Sequence, residues 1–151
     1  MRGALLLVLI VLMLGGCGSG KDTAAAGREE LSRITLPDGQ QIRAELLTTA
    51  VQQQIGMMYR EALPQDQGML FVYPQPQAVP FSMHDVNMPL DLVFLGPDRR
   101  VVELVESAEP CHGPSGNCRV YGGHASAQFV LEINGGAAAR HGVRLGAVLS
   151  F

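Results

Sequence analysis

Leu90-Asp91-Leu92-Val93-Phe94-Leu95, then Gly96-Pro97-Asp98-Arg99, then Arg100–Glu106, is the stretch that decides the fold. Two apolar segments flank a short turn built from Gly, Pro and Asp, the residue types that reverse a chain. That is a β-hairpin, and the pattern recurs upstream. Ser32–Leu36 and Gln41–Leu47 flank Pro37-Asp38-Gly39-Gln40. Gly68–Tyr73 is a short apolar strand that Pro74-Gln75-Pro76 stops, and Val79–His84 is the next one. Gln128–Asn134 is a strong strand and Ala147–Phe151 a last one. Thr49-Ala50-Val51-Gln52 fits a capping box, and Val51, Ile55 and Met58 follow at helical spacing, predicting one short helix near residues 49–60. Gly135–His141 holds a helical turn or two, with Gly142 as its C′ residue. Many short strands with turns between them predict a mainly β domain, α+β at the margin. The expected form is an antiparallel β-sandwich or partly closed barrel with one short outer helix.

Outward from this domain lies a different kind of segment. Ala4–Leu14 is an unbroken apolar run of 11 residues. As a helix it would span about 16 Å, short of the roughly 30 Å hydrocarbon core of a bilayer. It therefore reads as the core of an export signal. Leu14-Gly15-Gly16-Cys17 resembles a bacterial lipobox, in which the cysteine is acylated and becomes the mature N-terminus. The division expected is residues 1–16 as a lipoprotein signal peptide and 17–29 as the acylated Cys17 with a flexible tether. Residues 30–151 are then the β domain. Gly18–Gly27 is small, polar and aperiodic, as a tether should be. The expected location is the cell envelope, lipid-anchored, facing the periplasm from the outer membrane of a Gram-negative bacterium.

The chain of 151 residues fits one domain. Its net charge is −3 at pH 7, and it has a single lysine, Lys21. No basic cluster exists, which excludes a nucleic-acid electrostatic footprint. Gly-x-Ser-x-Gly, P-loop and dinucleotide motifs are missing.

Several blocks occur in a recognisable order. They are Gly56-Met57-Met58-Tyr59-Arg60, Gly68–Val72, Phe81-Ser82-Met83 and Pro89–Phe94. Pro110-Cys111, Cys118, Tyr121, Val130–Gly136 and Gly142–Gly146 follow. Over about Ile34–Phe151 this series resembles the DUF192 family. The resemblance implies a mainly β, sandwich-like fold with one outer helix, and supplies no activity. Members often carry Phe-Trp-Met and Lys-Asn-Thr where this chain has Phe81-Ser82-Met83 and His84-Asp85-Val86. A ligand role tied to that tryptophan or lysine would not transfer.

Five residues are candidates for ligand binding: Arg60, His84, Asn87, Asp91 and Glu132. Asp91 shares a strand face with Val93 and Leu95, so burial is expected. A buried charge needs a partner. Arg60 or Arg43 could supply it, or the carboxylate could cap backbone N–H groups. Glu132 shares a face with Val130 and Asn134. If that face met the Asp91 face, a polar pocket would form, and two carboxylates could divide acid and base roles as in glycoside hydrolysis. Otherwise Glu132 is solvated and Asn134 caps the next turn.

Cys111 and Cys118 bound an eight-residue loop, and outside the cytoplasm a disulfide is expected. A metal site from Cys111, His112, Cys118 and His124, with the Met83-His84 pair, suits zinc or copper by residue type. Its spacing matches no standard pattern. The leading expectation is a non-enzymatic ligand-binding or accessory domain with no resident metal or cofactor. It would be held to the membrane through Cys17 and meet an envelope or small-molecule partner. The alternatives are periplasmic copper or zinc handling and a small envelope-glycan hydrolase using Asp91 and Glu132.

Overall fold

Pro37-Asp38-Gly39-Gln40 does turn the chain, between β1 (Leu31–Thr35) and β2 (Gln41–Leu47), which pair antiparallel. The computed structural model describes residues 31–151. The signal segment, Cys17 and the tether lie outside the described residues.

Helix α1 (Ala50–Ile55) follows. Its N-cap is the expected capping box: the Thr49 side chain accepts from the Gln52 N–H, and Gln52 reaches back to the Thr49 N–H. The helix is shorter than the expected 49–60. Gly56 ends it at φ +46°, a conformation that a side chain resists. Val51 and Ile55 are exposed, not a buried stripe; the residue driven inward is Met57, in the turn beyond.

The remaining elements are β3 (Gln67–Ala78), β4 (Phe81–Ser82), β5 (Leu90–Leu95) and β6 (Val101–Ala108). After a 3-10 turn at Ser115–Asn117 come β7 (Val120–Tyr121), β8 (Ser126–Asn134) and α2 (Ala137–Arg140). Strand β3 runs past Pro74 and Pro76, where a strand end was expected. Its pairing with β8 shifts register between Val72 and Gln77, so the prolines sit where no ladder bond is needed. Of Val79–His84 only Phe81–Ser82 forms a strand, whose partner β7 lies in the long cysteine loop; His84 adds an isolated parallel bridge to Cys111.

The chain is mainly β and sandwich-like, as expected. The principal sheet has the order β1-β2-β3-β8-β5-β6, with β4-β7 as a small second sheet. The large sheet is mixed, because β2 and β3 run parallel. The reason is the connection: it carries α1, and a helical crossover returns the chain in the same direction. No closed barrel forms among the described residues. The C-terminal stretch is not the expected strand. It touches both sheet edges instead, Ser150 pairing with Thr35 on β1 and Ala147 accepting from the Val101 N–H on β6. Divided between two edges, it builds no ladder.

Side chains alternate across the sheet with period two. Leu70, Val93, Leu95, Leu131 and Ile133 fill one face, under α2 and Leu149. Met69, Phe71, Leu92, Phe94 and Val130 fill the other, with Met57 and Met83. The buried methionines are thus core fillers.

Candidate functional site

Asp91 and Glu132 fall on opposite faces. The register pairs Leu92 with Glu132 and Asp91 with Ile133. The expected pocket holding both carboxylates therefore does not form, and the two cannot flank one scissile bond.

Asp91 is fully buried. Neither Arg60 nor Arg43 is its partner; they pair with Glu45 at 2.6 Å and Asp66 at 2.7 Å. Its oxygens accept three backbone N–H groups instead. Oδ1 accepts from Ser107 at 2.7 Å and Gly136 at 2.9 Å, and Oδ2 accepts from Ala138 at 2.7 Å. Gly136 and Ala138 open α2, whose first N–H groups have no partner within the helix. Asp91 caps a helix from the sheet beneath it.

Glu132 is the opposite case. It is only 5% exposed, not solvated as one expectation had it. Its lateral neighbours on the sheet are Met69 on β3 and Leu92 on β5, neither of which can donate. Oε2 is enclosed and meets no hydrogen-bond donor among the described residues. Burial pushes the carboxyl up to about 8, with the positive charge of Arg60 pulling the other way. Tyr73 is raised to about 12, by burial first and then by the Glu132 charge.

Glu132 lies at the base of a cleft of about 470 Å³. Phe71 and Tyr73 of β3 line it beside Glu132. The turn ending α1, Gln53–Met58, forms one wall, and Pro80–Ser82, His84 and Val86 form another. Gly56 is part of the construction: a Cβ there would lie 3.2 Å from Phe71 Cζ. Gln53 fastens the wall, its amide donating to the Leu47 and Val72 carbonyls at 3.0 and 2.9 Å. The Tyr59 N–H donates to the Asp85 carbonyl at 2.9 Å, and both residues hold positive φ, the kind of strain that gathers at binding sites. Ser115, from the cysteine loop, sits at the rim.

The other candidates take three roles. His84 lines the cleft, with Nε2 2.9 Å from the Gly113 carbonyl oxygen. Arg60 does not line the cleft; its positive charge acts on Glu132, and its guanidinium is held by Glu45. Asn87 donates to the Arg60 carbonyl at 2.9 Å, pinning the turn. Asn134 caps nothing downstream; it donates to the Leu63 and Pro64 carbonyls at 2.9 and 3.2 Å. Phe71, Tyr73, Phe81 and Gln53 were not anticipated as site residues. Phe71 and Phe81 left a trace, their positions in the Gly68–Val72 and Phe81-Ser82-Met83 blocks.

Cys111 and Cys118 form a disulfide, with Cα atoms 5.8 Å apart. It braces the cleft wall: Cys111 donates its N–H to Met83 and accepts from the Asp85 N–H. The set imagined for zinc or copper is not brought together. His124 contacts Glu103 at 2.7 Å, Met83 is in the core, and no three His, Cys, Asp or Glu side chains converge among the described residues.

A mixed-sheet β domain with a carboxyl-floored cleft is the class that this geometry defines. Residues 33–151 match the DUF192 family, described as "Uncharacterized ACR", and the chain belongs to it. Two crystal structures are similar. A protein of unknown function from Novosphingobium aromaticivorans is 32% identical with a TM-score of 0.72, the match covering 80% of this chain and 85% of that one. A candidate transcription regulator from Sinorhizobium meliloti is 28% identical with a TM-score of 0.70, covering 82% and 97%. No curated protein matches the sequence.

Proposed function

We propose that this protein is a non-enzymatic ligand-binding domain of the cell envelope, tethered to a membrane through an acylated Cys17, whose site is the Glu132 cleft. One observation carries the binding site: a carboxyl group 5% exposed, with an undonated oxygen, at the base of an aromatic-lined cleft. Burying a polar atom without a hydrogen bond costs stability, and such cost persists where function requires it. The cleft has the size of small-molecule sites, and its lining sets the aromatic rings of Phe71, Tyr73 and Phe81 among polar side chains. The lipobox-like Leu14–Cys17 supports the tether. The regulator description of the Sinorhizobium protein is not carried over, because a net charge of −3 opposes DNA binding.

The test is an amide NMR screen of the purified full-length protein against a mixed set of small neutral, anionic and cationic aromatics. Shifts gathered on Gln53–Met58, Phe71, Tyr73 and Glu132 are expected. They should vanish in Ser82→Trp, which adds bulk at an exposed lining position. Shifts scattered over the surface, or unchanged in that variant, would remove the cleft from consideration.

A further inference from the structure

The class of ligand follows from what Glu132 lacks, and this step rests on the cleft being the binding site. Oε2 is an acceptor with no donor, so a complementary ligand brings the donor. Nothing in the lining competes for that role with a fixed positive charge. Among the described residues no Arg or Lys lines the cleft. The guanidinium of Arg60 is already 2.6 Å from Glu45, and the Gln53 amide is spent on two carbonyls. The rest of the lining mixes apolar and aromatic side chains, with Phe71, Tyr73 and Phe81 contributing rings, and the polar Gln54, Ser82, His84 and Ser115. Aromatic rings beside a carboxyl form an environment that favours a cation, through the negative ring faces and through direct pairing.

We propose that the cleft takes a small organic cation, an ammonium group on an apolar or aromatic body, with the Glu132 carboxylate accepting its N–H. The ligand stays whole and no bond is made or broken. Where Glu132 is protonated before binding, its proton passes to solvent as the ion pair forms. Binding should therefore tighten with rising pH until the carboxyl is ionised without the ligand, then level off. The titratable and charged groups around Glu132 are Tyr73 from β3 and His84, which share the cleft lining, and Arg60 from the turn after α1, whose charge reaches it; Met69 and Leu92 flank it on the sheet. The first of these is raised away from the range of interest, to about 12.

The experiment is a titration of the full-length protein with 2-phenylethylammonium and, separately, with its neutral counterpart 2-phenylethanol, followed by amide shifts. It runs from about pH 6 to about pH 9, where the amine keeps its charge. The expected slope is up to about tenfold in affinity per pH unit below the Glu132 pKa, since one proton is released. Glu132→Gln should weaken the amine at least about tenfold at high pH and abolish that slope. The wild-type slope alone keeps the idea testable if the variant folds poorly. If the alcohol binds in the cleft as well as the amine, or tightens as pH falls, the cation is wrong and the cleft still binds ligands. If neither probe moves the cleft resonances at millimolar concentration while other aromatics do, the cation proposal fails alone. If no aromatic moves them, both fail.

Discussion

Glu132 and Asp91 show how two carboxylates, each in an apolar strand, come to opposite ends. The pKa of Glu132 is raised in the folded state, so the native protein holds a proton that the unfolded chain has released. The sign follows from that difference. Its contribution to stability is intact below the ordinary value of 4.5 and is lost as pH rises through about 8. This one group should cost a few kcal/mol by about pH 8. Glu132→Gln keeps the shape without the charge. It should raise the urea midpoint near pH 8 and flatten the profile between about pH 5 and about pH 8. A variant no more stable than wild type at the alkaline end would mean the carboxyl finds a partner. For Asp91 the reverse holds. Asp91→Asn keeps the volume but turns an amide donor toward N–H donors, so roughly 2–4 kcal/mol of stability should be lost. Amine binding at the cleft should be unchanged in that variant, measured under conditions where it stays folded, because Asp91 is on the other face. Burial of Asp91 was legible from Val93 and Leu95 beside it. The isolation of Glu132 was not, because it depends on Met69 and Leu92, residues brought alongside only by strand register.

At the scale of elements, the cleft is a meeting of irregular pieces on a regular floor. The floor is β3 and β8. The walls are a turn, a two-residue strand and a disulfide loop, none of which has a periodic signature. Gly56 falls inside the helix expected near residues 49–60; that it ends the helix and lies over Phe71 required the tertiary packing. The disulfide is the element that can be tested most directly. Replacing Cys111 and Cys118 with Ser frees a short loop, which should cost about 2–3 kcal/mol by the chain-entropy model. Because Cys111 bonds to Met83 and Asp85 on the cleft wall, the same variant should weaken amine binding, read by the same NMR titration, beyond any loss of folded protein. Intact affinity in the folded fraction would mean that the loop is a brace for stability alone.

For the whole molecule, the large sheet is held at both edges by one C-terminal segment. Thr35 and Val101 lie on the outermost strands, and Ser150 and Ala147 reach them from the same short stretch. At the other terminus stands the proposed tether. Cys17→Ala should leave an uncleaved precursor or release the protein from the membrane, read by fractionation and intact mass. Normal processing with unchanged membrane attachment would remove the anchor from the proposal.

By itself the sequence determined the hairpins, the capping box, the burial of Asp91, the pairing of the cysteines and the mainly β class. All of these rest on contacts between residues near in the chain, or on side-chain chemistry that holds in any fold. The tertiary structure decided the parallel β2-β3 pair, the separation of Asp91 from Glu132 and the cleft itself. Each depends on which strand lies beside which, and in what register. A shift of one residue would exchange every side chain between the two faces, and no local pattern records it.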